Sequence, residues 1–389
     1  MPFYFNLPTT SYLALQDHVS SSSHPSLATS ASTNRGVLRS ALKKHKRLPI
    51  ASQASHLPTV LTSFNSYVAY LFTIDAGFSG RSVADEEVLT ALESEVLVRW
   101  RTNLSARGPG RAALRTKVQS IEYEILFTLL VLGETHYLIA RSALHTLYDA
   151  STPTNEQRLA AIQTAMKYYL ELHSVLAYAS SRAQQLAKEP PISDITSTTL
   201  NALASLGLAE ATLIAVLKDD PYPAAVAQSR NEADKDWMFK SPEIPKVRAH
   251  LFARLCIAAA DHAAKGLAML GRSGRVVDRL RRYIEDLRRC ARGKACRFLA
   301  IDAELSGKTG EGVAWLRGAR QELGFAAAGE QEKSGGKGLS KLKKTFDVRR
   351  EDRKVDRGAE WGMDAGRFEE GRVVDMLTVK WEKLNNTVS

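Results

Sequence analysis

Three sets of residues in this chain carry side chains that could do chemistry. Gly307-Lys308-Thr309 has the order of a phosphate-binding loop. That loop also needs a glycine five positions earlier, where this chain has Asp302, and a strand before it, where the pattern here is helical. The motif reads instead as an interhelical turn, with Gly307 supplying a dihedral that other residues avoid. The histidines His136, His145 and His173 are scattered singly, with no His-Glu-x-x-His arrangement. Cys256, Cys290 and Cys296 lack the paired spacing and the histidines of a zinc site, and they fit free thiols in a reducing compartment. No nucleophile elbow or dinucleotide fingerprint is present. These residues predict neither metal nor cofactor and argue against an enzyme.

What remains is charge. The chain of 389 residues has a formal net charge of +11, and the excess is clustered. One cluster runs from Arg35 to Arg47 and another spans Lys333 to Arg357. The densest lies between Arg272 and Arg297 and includes Arg279, Arg281, Arg282, Arg288, Arg289 and Arg292, mixed with Asp278, Glu285 and Asp286. Clustered cations attract anionic lipid, nucleic acid and acidic protein surfaces alike. No nucleic-acid recognition motif accompanies them, so specific nucleic-acid binding is not expected. Two readings stand side by side: a solvated helix face with weak local ion pairs, and a surface that meets anionic membrane or an acidic partner.

The elements that must position these groups are helical. The composition is 44% hydrophobic and 24% charged but only 7% aromatic, a balance that favours packed helices. The clearest pattern runs from Ile121 to Leu186. Ile121, Ile125, Leu126, Leu129 and Leu132 form one apolar stripe; Ala161, Ala165, Tyr169, Leu172 and Leu176 form a second beyond a break at Asp149 to Asn155. Both stripes are broad, as in helices packed on two sides within a solenoid.

Further helices are predicted over Asn34–Arg47, Leu57–Ala76, Val83–Leu104, Ala224–Phe239, Lys246–Leu270, Val276–Cys290, Lys294–Leu305 and Gly312–Leu323. Another is expected after Pro190-Pro191, capped by Ser193 and Asp194 and running to Leu217. Thr9-Thr10-Ser11 reads as a cap before a short N-terminal helix. Residues 20–33 read as a flexible Ser-rich loop and 326–340 as a mobile linker. Any sheet should be small and local. No run of eighteen uninterrupted apolar residues predicts a transmembrane helix, and the N-terminus lacks the pattern of a signal peptide.

Several segments, in order along the chain, resemble the Bro domain, the Alix-type helical module of endosomal sorting and fungal pH signalling. They are Tyr123-Glu124-Ile125-Leu126-Phe127 through Gly133, Ile192 through Leu206-Gly207-Leu208-Ala209-Glu210-Ala211, and Ala295-Cys296 through the hairpin ending Ala314-Trp315-Leu316. The opening Leu7-Pro8-Thr9-Thr10-Ser11 and the closing Trp381 to Ser389 are most similar to the pH-signalling branch.

The resemblance implies an all-α, curved helical solenoid with a tetratricopeptide-like core of hairpins, filling residues 1–389 as one domain. It implies a non-enzymatic adaptor without cofactor that holds the C-terminal helix of an ESCRT-III core subunit in an apolar groove. Such a protein is cytoplasmic and is recruited peripherally to plasma membrane or endosomal sites. With other components of the pH-signalling complex, it supports proteolytic activation of a transcription factor that responds to alkaline pH. The family's groove positions fall on Leu213 and Val226, and the next falls on Arg230. The alternative is a basic helical scaffold that binds mainly anionic lipid and has no such groove.

Overall fold

The computed structural model describes residues 2–105, 115–148, 153–228, 244–271, 276–325 and 361–388. Among them are ten α-helices. They are α1 (Leu27–Arg47), α2 (Ile50–Phe78), α3 (Ile121–His145), α4 (Asn155–Gln184), α5 (Ser197–Asp219), α6 (Tyr222–Gln228), α7 (Lys246–Leu270), α8 (Asp278–Glu304), α9 (Thr309–Glu322) and α10 (Arg367–Val388). From α3 onward the long helices pack in a row, α3 on α4, α4 on α5, α5 on α7, α7 on α8 and α8 on α9, with α10 laid against α8 and α9. That succession of neighbours makes the fold an all-α solenoid.

The centre of the row is α3, buried along nearly its whole length. Ser120 caps it by accepting from the Glu122 amide, and Glu122 and Glu124 occupy the first turn, where the helix dipole favours negative charge. Thr154 and Gln157 form a reciprocal capping box at the start of α4. Small residues let the axes approach closely: a Cβ on Gly133 would lie 2.9 Å from Leu176, and one on Gly207 would lie 2.7 Å from Leu172. By length and composition α3 and α5 could each cross a membrane, yet 89% and 67% of their most apolar windows are buried inside the fold.

The N-terminal part departs from the sequence expectation. Residues 20–33 are not a loop. Val19–Ser21 forms β1, and α1 begins at Leu27, because Leu27, Ala28 and Ala31 continue its buried stripe through the Ser and Thr residues. Thr9-Thr10-Ser11 caps no helix; it runs extended beside Trp100, with the Arg101 amide donating to the Thr9 carbonyl.

The expected helix over Val83–Leu104 is a set of short strands: β2 (Ser82–Val83), β3 (Glu86–Glu87), β4 (Thr90–Leu92) and β5 (Leu97–Arg101). Ala84 and Asp85 both take positive φ in the β2–β3 turn, the geometry of a two-residue hairpin. In β5, Val98 and Trp100 alternate inward, a period of two hidden by apolar spacings that also suit a helix. β5 pairs with β6 (Arg115–Gln119), and β1 pairs with β4, all antiparallel.

Farther along, Val276–Cys290 and Lys294–Leu305 merge into the single helix α8, whose buried face runs unbroken through Ala291 and Gly293 to Ala295. Thr196, not Ser193 or Asp194, caps α5. Asp194 instead accepts from the Asn103 and Leu104 amides. Gly307 turns the α8–α9 hairpin with φ +75°, as expected. The expected linker 326–340, position 230 and the Lys333–Arg357 cluster lie outside the described residues.

Candidate functional site

The residues nominated for chemistry do not converge. His136 is buried on α3 beside the Tyr168 ring, and burial lowers its pKa to about 4. His145 stacks edge-on against Trp361, and His173 on α4 pairs its Nδ1 with the Ala204 carbonyl. Cys256 and Cys290 are buried and Cys296 is half-buried; all three are free thiols. Among the described residues, no group of three or more His, Cys, Asp or Glu side chains is placed to hold a metal ion.

The arrangement that can bind something is an apolar groove. α5 lies between α4 and α7; Lys218 and Asp219 are exposed at its end, and Asn201, Leu208, Thr212 and Ala215 are among its half-buried residues. Their spacings of seven, four and three put them on one strip of helix surface, the groove floor. On α7, Val247, Leu251, Leu255, Ala258 and His262 recur at spacings of three and four and share a face that is open or half-open. Val247 is 84% exposed and Leu251 is 49% exposed. On α4, Leu159, Met166, Leu170, His173 and Ala177 form the matching strip. His173 touches α5 directly, and its charge acts on His262 across the groove, which ties the two walls together. Burial and the nearby Lys265 and His173 hold the His262 pKa below its ordinary value.

The two groove residues carried over from the family resemblance sit differently. Leu213 is half-buried on the side of α5 turned from the floor strip and packs against all three apolar clusters of the protein. It lines a small crevice of about 60 Å³ with Glu210, Leu217, Cys290, Lys294 and Glu369. Val226 on α6 is only 6% exposed and belongs to the apolar cluster formed with α7, α8, α9 and α10. The α7 wall was missed because Lys246–Leu270 reads as one strongly periodic core helix. The available signal was Val247, Leu251 and Ala258 lying off the stripe of Phe252, Cys256, Ala259, Ala263 and Leu270.

The arginine cluster is partly spent within the fold. Arg288 donates to Glu285 at 2.9 and 2.7 Å, and this bond holds the Glu285 carboxyl below the usual range. Arg289 lies 3.9 Å from the same carboxylate, and Arg292 pairs with Glu322 at 2.8 Å. The Arg279 guanidinium sits 5.8 Å from the centre of the Phe3 ring. Arg281 and Arg282 are exposed beside Asp278, Glu285 and Asp286 in a shallow depression.

Over 424 aligned positions the chain is 43% identical to the pH-response regulator protein palC of Emericella nidulans. The match covers 100% of this chain and 84% of that protein. The chain belongs to the palC family of pH-response regulators. Its fold is also that of the solved ALIX BRO1 CHMP4C complex, with a TM-score of 0.51 at 14% identity, covering 94% of this chain and 88% of that one. ALIX bound to a SIVmac239 late domain gives a TM-score of 0.53 at 15% identity, covering 94% of this chain and 45% of that longer one. No protein-family model matches the chain. The Bro-type solenoid expected from the sequence is therefore the fold of this palC relative.

Proposed function

We propose that this palC-family protein is a non-enzymatic adaptor in alkaline-pH signalling whose α4–α5–α7 groove holds the C-terminal amphipathic helix of an ESCRT-III core subunit. The observation that carries the reading is the open apolar row on α7, from Val247 to Ala258, facing Leu159 to Ala177 across the α5 floor. A helix laid there would bury its own apolar residues at spacings of three and four. The ALIX BRO1 relative of the same fold was solved in complex with CHMP4C, which fits an occupant of this kind.

Held at the plasma membrane or at endosomes, the adaptor would bring the ESCRT-III subunit to the other pH-signalling components and support proteolytic activation of the transcription factor. Leu213 and Val226 would act from below, by packing the helices that form the groove. The basic face of Arg281, Arg282, Arg288, Arg289 and Arg292, with Arg279 at its edge, would add peripheral contact with anionic lipid.

The test is binding of the purified chain to a labelled C-terminal helix of the ESCRT-III core subunit at two salt concentrations, with Leu251→Asp and Leu213→Asp alongside wild type. Apolar anchoring predicts saturable binding that survives higher salt and is lost in L251D with the fold intact. L213D discriminates further: loss of binding with the fold intact would place Leu213 in the site, and unfolding would place it in the core. Absence of helix binding, together with steeply salt-dependent binding to anionic vesicles, would favour the lipid-scaffold reading instead.

A further inference from the structure

The apolar groove is interrupted by one pair of imidazoles. His173 breaks the strip of α4, with Leu170 three residues before it and Ala177 four after it, and His262 follows Leu255 and Ala258 on the α7 wall. Both rings are half-buried, and the α5 floor that separates them presents Asn201 and Leu208. His173 Nδ1 lies 3.0 Å from the Ala204 carbonyl. A carbonyl only accepts, so Nδ1 carries the proton and Nε2 of the neutral ring is a bare acceptor. Protonation turns that same atom into a charged donor, and imidazole is the side chain whose ordinary titration falls between pH 5 and 8.

Little in the groove neutralises such a charge. The charged groups that act on His262 are Lys265 and Asp261 of its own helix and His173 of α4. Lys265 and His173 oppose a further positive charge there, whereas Asp261 favours it. Burial with the two cations prevails over that one carboxylate, and the His262 pKa stays below its ordinary value. On α4, Lys167 and Glu171 lie off the groove strip, Lys167 being 5.7 Å from the centre of the Tyr168 ring. The only carboxylate of α5 before its last residue is Glu210, two residues from both Leu208 and Thr212 and so on the opposite face. Glu210 is buried there, accepting from the Tyr137 and Tyr283 hydroxyls.

Taking the groove as the helix site proposed above, we propose that His173 and His262 gate it by charge: two neutral imidazoles admit the apolar face of a partner helix, and protonated ones exclude it. A seated helix strips water from both half-buried rings, and an imidazolium buried without a counter-charge is costly. The complex therefore holds fewer protons than the free groove, and affinity falls as pH falls. Each pH unit below the pKa of the free imidazole weakens binding about tenfold per proton displaced.

The test measures the Kd of the full chain for the labelled C-terminal helix of the ESCRT-III core subunit at pH 7.5, 6.5 and 5.5, with circular dichroism confirming the fold at each. Binding is expected to weaken about tenfold or more between pH 7.5 and 5.5. The double variant His173→Gln with His262→Gln should flatten the ratio of the two Kd values, whatever its affinity at pH 7.5. His250→Gln, at an exposed α7 position off the groove strip, should keep the wild-type ratio. Imidazole NMR supplies a readout without ligand: H173Q should raise the titration midpoint of His262, by removing the charge opposite it.

A Kd unchanged between pH 7.5 and 5.5, or a wild-type ratio in the double variant, overturns the gate and leaves the helix site standing. Tighter binding at pH 5.5 also overturns it, and would show that the partner meets the pair with a carboxylate. Absence of helix binding at every pH overturns the gate and the helix site together.

Discussion

Arg297 on α8 and Asp220 at the end of α5 form a buried ion pair, Nη2 to Oδ2 2.6 Å apart. The same guanidinium donates through Nε to Glu370 on α10, which also pairs with Lys294 at 2.5 Å. One side chain thus locks the C-terminal helix, the α5–α6 corner and α8 together. The nearby carboxylates raise the Arg297 pKa against its burial, and Arg297 with Lys294 holds the Glu370 carboxyl below its ordinary value despite burial.

Replacing Arg297 by Met would strand Asp220 as an uncompensated buried charge, a loss of about 3–5 kcal/mol. Lysine should not rescue it, since one ammonium cannot reproduce a fork that contacts two carboxylates. Urea unfolding monitored by circular dichroism measures both variants. A loss under about 1 kcal/mol in Arg297→Met would show that the lock contributes little.

Gly207 sets the spacing of α4 and α5. A side chain there would meet Leu172 at 2.7 Å and the Tyr169 carbonyl at 3.2 Å. Gly207→Val should destabilise the protein by about 1–3 kcal/mol, the usual cost of overpacking, and weaken partner-helix binding by tilting the groove floor. Half-buried Gly318 has open space around its Cβ position and serves as the control, where Gly318→Val should be milder.

His136 makes stability depend on pH. Its pKa is about 4 in the folded protein and 6.5 in the unfolded chain, so the unfolded chain takes up the proton first. Its contribution is complete above about pH 6.5 and is lost as pH falls toward 4, at about 1.4 kcal/mol per pK unit. Melting temperature should therefore drop across that window, and His136→Gln should flatten part of the drop. An unchanged slope in the variant would assign the dependence to other groups.

The thiols should divide by burial. Burial raises the Cys290 pKa to about 12 and pushes Cys256 higher still, whereas Cys296 is half-exposed and raised less. A maleimide at neutral pH should label one cysteine in the native protein and all three after denaturation. Mass spectrometry locates the label, and rapid native labelling of Cys290 would show that α8 opens locally.

Much of the solenoid was legible as period. α7 was read from Lys246 to Leu270, the span it occupies, because apolar stripe and breakers coincide there. α3 and α4 were read nearly as well. The misreadings share one cause: local pattern was decided by partners far along the chain. Val83–Leu104 became strands because β5 adds to β6 and β4 to β1, pairings that span tens of residues. Residues 20–33 became strand and helix because β1 had β4 to pair with and α1 had α2 to pack against.

The sequence by itself determined the helical class, the order of most long helices, the turn at Gly307 and the clustering of positive charge, since each is a property of neighbours in the chain. Only the tertiary structure decided which faces stayed open. It buried Val226 and left Leu213 half-buried, exposed Val247 and Leu251, and spent Arg288 and Arg292 on carboxylates of the same chain. It also brought His45 at the end of α1 beside Arg101 and Asn103 at the end of β5. Exposure is what remains after every other element has packed, and no local window of residues contains that information.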